Sequence, residues 1–394
     1  MQYISEYQED IMDLLSREKT GKVERPVRVL QFGEGNFLRA FVDYMIDIAN
    51  EQGKFNGDIV LVKPIEFGSL DRFHDQECQY TVQLRGIVDG EPKRINRIVT
   101  SVADAVDAYG EYQKYADYAK LDSLRYIVSN TTEAGIVYDD TDRLEMEPPK
   151  SYPGKLTKFL YERYKHFNGA MDKGLVMLPV ELIDDNGIHL KECVEKLAVL
   201  WNLEDGFKTW LDEACVFTST LVDRIVTGYP RDEAEELCKE FGYQDNLIVT
   251  GEPFALWVIE SAKDISKEFP LPDAGLPVIF TDNQKPYKQR KVRILNGAHT
   301  SFVLASYLCG NDIVLESMQD ELIFNFMKAT IFDEVIPTLT LPKQDLIDFA
   351  EAVITRFNNP YVKHALLSIS LNSVSKWRAC LLYTSPSPRD GLLS

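Results

Sequence analysis

A β-branched segment, a glycine turn and an amphipathic helix follow one another near the start of the chain. Residues 27–32 (VRVLQF) have the composition of a strand, Gly33-Glu34-Gly35 comes directly after them, and residues 36–53 carry apolar side chains at helical spacing,. Two glycines in such a turn allow a tight bend and let the backbone approach a pyrophosphate at the helix N-terminus. This pattern predicts the strand–turn–helix unit of a nucleotide-binding domain.

Three further apolar segments predict that this unit continues into a parallel sheet. Residues 58–64, 126–129 and 175–180 have the composition of buried strands, and polar loops containing Asn or Asp follow the last two,. Ligands of such sheets gather at the C-terminal ends of the strands, so these loops are candidates for a binding site. From residue 184 to residue 242 the periodicity indicates mostly helix.

A proline-rich segment separates this α/β pattern from a helical remainder. Four prolines fall between residues 270 and 286, and from residue 296 onward the apolar periodicity is helical with almost no strand signal,. We therefore predict an α/β protein with a Rossmann-type N-terminal domain at residues 1–283. An all-α, incomplete C-terminal domain is expected to follow at residues 284–378.

The last residues lose the amphipathic pattern abruptly. Residues 379–394 include two Ser-Pro pairs, which favour extended or turn conformations over helix,. We expect this segment to be a non-native or disordered tail. The alternative interpretation makes the Ser-Pro pairs regulatory phosphorylation sites.

Charge and composition exclude several classes of partner. Asp and Glu number 62 against 43 Lys and Arg, a formal charge of -19, which repels a phosphate backbone and argues against nucleic acid,. The acidic N-terminus and the lack of a long apolar segment predict a cytoplasmic protein with no membrane partner,. The six cysteines show no metal-ligand spacing, so we expect buried free thiols and no metal,. A monomer and a homodimer are equally compatible with these features.

The glycine turn is the first candidate for chemistry, but it departs from the usual dinucleotide pattern. Leu38 stands where a third glycine or alanine belongs, and Lys63-Pro64 occupies the point where an acidic residue would bind the adenosine ribose,. A methyltransferase or a plain structural turn would show the same pair of glycines. The choice between NAD and NADP is therefore not made by this motif.

The second candidate is the polar loop VSNTTEAGI, residues 128–136, which leaves a predicted strand. Its small hydroxyl and amide groups could meet the ribose or nicotinamide of a cofactor, although an ordinary capped turn has the same composition. Together the two motifs give the candidate cofactor-binding residues Gly33, Gly35, Asn36, Phe37, Asn130, Thr131 and Glu133.

The third candidate, KVRILNGAHTSF, places Lys291, Asn296 and His299 at the predicted domain junction, where pockets form,. Hydride transfer to a ketone leaves a developing alkoxide, which needs a hydrogen-bond donor and a proton from a suitable acid. Lys291 could give the proton and Asn296 could hold the oxygen. In the reverse direction a neutral lysine would accept the proton, which requires its pKa to fall towards ~7–8. A surface lysine, a capping asparagine and a core histidine are the alternative.

Several motifs resemble the long-chain mannitol dehydrogenase family. They are GEGNFLRAF, VSNTTEAGI, STLVDRIVTGYPRDE, KPYKQRKVRILNGAHT and RFNNPYVKHALLSISLNSVSKW, and they span the chain from about Pro26 to Trp377 in the family's order. The resemblance implies an NAD-binding Rossmann-type domain, a helical second domain, a cleft between them and zinc-independent hydride transfer. It also implies a longer chain, so several C-terminal helices are expected to be absent here.

The resemblance also assigns roles. Lys291 is implied as general acid/base, Asn296 as the donor to the oxyanion, His299 as a hydrogen-bond partner of the substrate, and Asp223 as a further polar residue of the active site. The mannitol-specific branch has an asparagine where this chain has Leu182, which puts a second oxyanion donor in doubt.

The resemblance is to the sugar-acid branch of that family, which implies a hexuronate or hexonate substrate. Its carboxylate calls for a cation in the pocket, and Arg224 and Lys376 are the candidates,. The alternatives are a sister enzyme for another ketouronate, a mannitol-type polyol dehydrogenase, and an inactive NAD-binding protein.

Overall fold

The computed structural model describes residues 12–21, 23–132 and 134–382 of the chain. Its strands are β1 (Val27–Phe32), β2 (Asp58–Lys63), β3 (Tyr80–Val88), β4 (Glu91–Val99), β5 (Val102–Asp107), β6 (Tyr126–Ser129), β7 (Val176–Pro179), β8 (Val216–Phe217), β9 (Ser219–Asp223), β10 (Val226–Gly228), β11 (Val249–Gly251), β12 (Leu256–Glu260) and β13 (Val278–Thr281).

The α-helices are α1 (Arg17–Thr20), α2 (Asn36–Leu38), α3 (Tyr44–Glu51), α4 (Asp71–Asp75), α5 (Tyr112–Asp117), α6 (Tyr152–His166), α7 (Asn186–Leu200), α8 (Asp205–Glu213), α9 (Ala234–Phe241), α10 (Lys285–Arg290), α11 (Gly297–Leu308), α12 (Val314–Gln319), α13 (Glu321–Ala329), α14 (Lys343–Phe357), α15 (Leu366–Ile369) and α16 (Ser373–Cys380). Turns of π-helix occur at Arg39–Asp43, Lys291–Asn296 and Thr330–Val335, and short 3₁₀-helices at Tyr118–Lys120, Met171–Lys173, Leu271–Ala274 and Ile336–Thr338.

The predicted parallel sheet is confirmed. It has the strand order β5-β2-β1-β6-β7-β8, and every pairing within it is parallel. Successive residues of its central strands belong to different apolar clusters: Val29 packs on one face, whereas Leu30 packs on the other. Both faces are therefore buried, which explains why these strands are continuous apolar runs in the sequence.

The helix after the glycine turn covers one face of this sheet. It begins at Asn36, passes through the π turn Arg39–Asp43 and ends at Glu51, before Gly53 with its φ of +65°. Phe41 and Met45 lie in the apolar cluster of that face, as their spacing predicts. Helices α6 and α7 cover the opposite face.

Two smaller sheets complete the first part of the chain, and the sequence did not predict them. One has the order β10-β11-β3-β4 and the other the order β13-β12-β9. Helix predominates between residues 184 and 242, as predicted, but the prediction missed β8, β9 and β10, which lie within this segment. These strands have two to five residues, which is too short for a period of two to stand out,.

The C-terminal part is helical, as predicted, and it shares a strand with the first part. In β12, Trp257 and Ile259 lie in a cluster with the large sheet, whereas Leu256 and Val258 pack against the helices from α11 onward. This strand therefore joins the two cores. The predicted boundary near residue 284 falls between β13 and α10.

Three other expectations concern the ends of the chain and its surface. Ala379 and Cys380, which we assigned to the tail, end helix α16, whereas residues 383–394 lie outside the described residues. Five cysteines are buried free thiols, but the expectation was wrong for Cys309, which is exposed because it caps the last turn of α11. Among the residues described, no helix is long and apolar enough to span a bilayer.

Candidate functional site

Two connected cavities follow the C-terminal edge of the parallel sheet. One, of about 470 Å³, lies over the glycine turn, and the other, of about 640 Å³, extends to Lys291. Both are bordered by Asn130, Thr132 and Ala134 in the loop after β6. The second cavity is also lined by Phe37, Val180, Leu182, Val222, Asp223 and Arg224. Together they form an elongated trough that runs from the sheet to the helical domain.

The glycine turn is built for close approach of a ligand to the backbone. Gly33 has a φ of +119°, and a Cβ there would meet the carbonyl oxygen of Asn130 and the Cδ1 of Leu38, each at 3.2 Å. At Gly35 a Cβ would meet nothing within 4 Å, so the space above this residue is open to the trough. Leu38, which replaces the third glycine of the usual pattern, packs against the turn instead. The site fits the pyrophosphate of a dinucleotide at the start of the helix.

The loop after β6 is held by a buried carboxylate that the sequence analysis did not single out. Glu181, which follows β7, accepts hydrogen bonds from the backbone N–H and the hydroxyl of Thr131, at 2.9 and 3.0 Å. It also accepts one from the hydroxyl of Ser129 at 3.2 Å. Burial raises the pKa of Glu181, and these donors partly offset that effect. Glu181 therefore fixes the predicted cofactor loop from below.

No acidic side chain stands at the end of β2, and the structure shows what Lys63 does there instead. Its ammonium lies 3.0 Å from Asp107 Oδ2 and donates to the carbonyls of Ile65 and Glu66. This lysine is thereby committed to shaping the loop after β2. Glu34, in the glycine turn, lines the cavity beside that loop, and burial raises the pKa of its carboxyl.

The predicted catalytic segment is a π turn rather than regular α-helix. Lys291 and Asn296 are the first and last residues of this turn. Because a π turn closes hydrogen bonds between residues five apart, it stacks such residues on one face, whereas an α-helix would separate them. Both side chains border a cavity of about 660 Å³, which lies between the loop after β7 and helix α10.

Lys291 lies against the end of β9. Its Nζ donates a hydrogen bond to the carbonyl of Val222 at 2.7 Å and is 3.8 Å from Asp223 Oδ1. Burial lowers the pKa of Lys291, and the charge of Asp223 acts in the opposite direction. The lysine is thus closer to losing its proton than one on the surface, as the chemistry of an acid/base requires.

His299 is placed differently from its two predicted partners. Its ring stacks on Phe357 with centroids 4.3 Å apart and lies 5.2 Å from the ring of His364. It does not border either of the cavities that Lys291 lines. Burial and the neighbouring His364 lower the pKa of His299 to about 3, so the ring is neutral. Among the described residues, none makes a hydrogen bond with its Nε2.

An arginine of the helical domain forms hydrogen bonds with two carboxylates next to Lys291. The sequence analysis did not identify this arginine as a residue of the site. Arg356 donates to both oxygens of Asp223 at 3.1 Å and to both oxygens of Glu252 at 2.8 and 2.9 Å. Glu252 also accepts from the backbone N–H of Ile225. Arg356 lies within the motif RFNNP, but the sequence offers no sign of its partners.

Arg224 and Lys376, the two residues predicted to bind a substrate carboxylate, differ in the protein groups that they already contact. Arg224 borders the trough, but its guanidinium donates to the backbone carbonyls of Ala40, Pro253 and Phe254. Lys376 donates to the carbonyl of Ile369, at 2.6 Å, and lies one turn before Ala379, which borders the cavity of Lys291 and Asn296.

Asn36 and Glu133 are the remaining predicted cofactor-binding residues. Asn36 is not among the residues lining the trough, and its side-chain oxygen accepts a hydrogen bond from Arg39 at 2.6 Å. Glu133 lies outside the described residues. Within residues 12–21, 23–132 and 134–382, no group of His, Cys, Asp or Glu is arranged to hold a metal ion.

Comparison with known proteins places the chain in one family. Residues 27–272 match the mannitol dehydrogenase Rossmann domain, and residues 283–384 match the mannitol dehydrogenase C-terminal domain. The altronate oxidoreductase of Bacteroides thetaiotaomicron is 46% identical over 366 residues, which cover 93% of this chain and 76% of that protein. The altronate oxidoreductase of Pectobacterium atrosepticum is 48% identical over 372 residues, 94% of this chain and 76% of that protein.

Solved structures agree on the fold. A D-sorbitol dehydrogenase in substrate-free form aligns with a TM-score of 0.78 at 22% identity, over 93% of this chain and 80% of that one. The Pseudomonas fluorescens mannitol 2-dehydrogenase, in a ternary complex with NAD and D-mannitol, aligns with a TM-score of 0.71 at 23% identity, over 93% and 78% of the two chains.

Proposed function

The chain belongs to the mannitol dehydrogenase family, and from that premise we propose that it interconverts tagaturonate and altronate, as a step of hexuronate breakdown. It is a dehydrogenase that acts on a CH–OH group, and its cofactor is NAD. The altronate oxidoreductases that match it over most of its length support this choice of substrate. The observation that carries the mechanism is the π turn, which puts Lys291 and Asn296 on one face of a cavity between the two domains.

The trough along the sheet edge holds the cofactor in this proposal. Gly33 and Gly35 would hold the pyrophosphate, and the loop at Asn130 and Thr131, fixed by Glu181, would hold the nicotinamide half. NAD, when bound, accepts or supplies the hydride at the carbon that is oxidised or reduced. The protein's own residues must manage the proton and the charge on the oxygen.

Lys291 is the general acid/base of the proposed reaction. During reduction its ammonium gives a proton to the substrate oxygen, and during oxidation its neutral amine removes the proton of the alcohol. Burial already favours the neutral form, while the carbonyl of Val222 fixes the direction of the amine. Asn296, on the same face of the π turn, donates its amide N–H to the developing alkoxide.

Lys376 orients the substrate in this scheme. The resemblance implies His299 as a further partner of the substrate, but the Nε2 of its ring is buried and the residue borders neither cavity of Lys291, so we assign it no direct contact. We assign the carboxylate of the sugar acid to Lys376 rather than to Arg224, because Arg224 is committed to three backbone carbonyls. Asp223 acts through its proximity to Lys291.

The experiment is NADH oxidation with tagaturonate, fructuronate and fructose in parallel, for the protein and its Lys291→Met variant. Lys343→Met, an exposed lysine of the same domain, is the matched control. We expect turnover of tagaturonate that Lys291→Met abolishes and Lys343→Met retains. Activity confined to fructuronate or fructose would move the chain to a sister enzyme, and NADH binding without any turnover would make it a non-catalytic nucleotide-binding protein.

Lys376→Met tests the assignment of the substrate carboxylate to Lys376 independently of the proposed role of Lys291. Loss of this cation should raise KM for tagaturonate about tenfold or more, because a charge-assisted contact is lost, while fructose, which has no carboxylate, is unaffected. An equal effect on both substrates would contradict a carboxylate contact.

A further inference from the structure

The guanidinium of Arg356 sits between two buried carboxylates that come from the other domain. It lies on α14, whereas Asp223 ends β9 and Glu252 follows β11. The side chains are 5%, 7% and 2% exposed, respectively, and four contacts of 2.8–3.1 Å join them. Such double bidentate pairing fixes the plane and the position of all three groups.

The cluster stands directly behind the proposed acid/base. Asp223 Oδ1, one of the oxygens that Arg356 holds, is also the atom 3.8 Å from the Lys291 ammonium. A free Asp223 could swing towards the lysine and bind it as a tight ion pair, which would keep the proton on the amine. With both oxygens bound to Arg356, Asp223 is held away from the lysine, and its charge is partly balanced by a guanidinium that it shares with Glu252.

We propose that Arg356 is a positioning residue, which restrains Asp223 and partly balances its charge so that Lys291 can release and recover its proton during turnover. Glu252 binds the other edge of the guanidinium and also accepts a hydrogen bond from the N–H of Ile225, the residue before β10. The inference rests on the proposed role of Lys291. It adds a function for a contact that also joins the two domains.

The charges of the cluster predict opposite effects for two substitutions. Arg356→Met leaves the charge of Asp223 unbalanced beside Lys291, which favours the ammonium and raises the pKa of the lysine. Glu252→Gln removes a carboxylate and leaves an excess of positive charge, which lowers the pKa of the lysine. If the cluster only held the two domains together, both substitutions would destabilise the protein, and the pKa of Lys291 would have no reason to move in opposite directions.

Other charged groups around Lys291 stay unchanged in both variants. They are Arg290 and Arg293 on its own helix and turn, Lys376 on α16, Arg224 after β9, and Glu181, Asp184, Asp185, Lys285 and Lys288 around the cavity.

The measurement is the pH dependence of kcat for altronate oxidation, which requires the neutral amine and therefore falls on the acid side. We expect the midpoint of that fall to move to higher pH by about one unit in Arg356→Met, and to lower pH in Glu252→Gln. Arg356→Lys, which keeps the charge, should move it much less than Arg356→Met. NADH affinity and the melting temperature show whether each variant is folded.

The outcomes separate this inference from the proposed function. If Lys291→Met is inactive but Arg356→Met and Glu252→Gln leave the midpoint in place or move it in one direction, the role of Arg356 is refuted and the lysine stands. If Lys291→Met stays active, the lysine mechanism itself fails. Should Arg356→Met not fold, the direction of the shift in Glu252→Gln decides the matter.

Discussion

Asp43 should make the stability of the nucleotide-binding domain depend on pH. It ends the π turn Arg39–Asp43, is fully buried, and accepts a hydrogen bond from the Tyr80 hydroxyl at 2.6 Å. Burial raises the pKa of Asp43 from 3.8 to about 7. The folded protein therefore keeps this carboxyl protonated at pH values where the unfolded chain has already ionised it.

The sign and size follow from linkage between proton binding and folding. Because the folded pKa is the higher one, the stabilising effect is complete below the unfolded value and is lost as pH rises through the folded value. Each pH unit between the two is worth about 1.4 kcal/mol, so a gap of roughly three units corresponds to about 4 kcal/mol. Between pH 5 and pH 7 this single group should remove about 2 kcal/mol from the free energy of unfolding, because the dependence flattens as the pH reaches the folded pKa.

Asp43→Asn is the perturbation, since the amide has the shape of the protonated acid and can still accept the bond from Tyr80. We expect the variant to lose less stability than the native protein between pH 5 and pH 7, by about 2 kcal/mol. Urea unfolding followed by tryptophan fluorescence measures this, with the exposed Asp273→Asn as the control. Identical pH slopes for the native protein and Asp43→Asn would refute the argument.

Three further changes test the cofactor trough. Gly33→Ala places a Cβ against the Asn130 carbonyl at a φ of +119°, so it should cost about 1–3 kcal/mol of stability and weaken NADH binding, as thermal unfolding and fluorescence titration would show,. Glu181→Gln removes the charged acceptor of the two Thr131 donors, and NADH affinity should fall about tenfold while KM for the sugar acid holds,. Glu34→Ser removes a carboxylate that lines the cavity and would repel a 2′-phosphate, so the preference of binding for NADH over NADPH should shrink roughly tenfold; an unchanged ratio would exclude Glu34 from that choice,.

Much of the fold could be predicted from the sequence because it depends on local patterns. The strand at Val27–Phe32, the glycine turn and the helix from Asn36 are consecutive, and both faces of the sheet are buried, so its strands are unbroken apolar runs,. The all-α character after residue 296 was equally clear from its periodicity. In the two smaller sheets, strands β9 to β13 have three to five residues, which is too few for a period of two to stand out,. The nine-residue strands β3 and β4 were not predicted either.

In the candidate site, too, the sequence identified what depends on local patterns and missed what depends on three-dimensional geometry. The sequence by itself brought Lys291 and Asn296 forward, since they lie within one short motif, and it identified the glycine turn by the two residues that the bend requires. It could not show that a π turn aligns the two side chains, because a helix of either kind has the same apolar pattern,.

Only the tertiary structure decided which groups surround Lys291 and how many backbone carbonyls each candidate cation already binds. Arg356 and its partners Asp223 and Glu252 are 133 and 104 residues apart in the chain, and no local pattern connects them. In the same way, the sequence makes Arg224 a candidate cation for the substrate, whereas in the structure its guanidinium donates to three backbone carbonyls. The sequence determines which chemical groups exist and where the chain bends. Their charges, and hence their reactivity, are set by neighbours that folding brings together from distant segments.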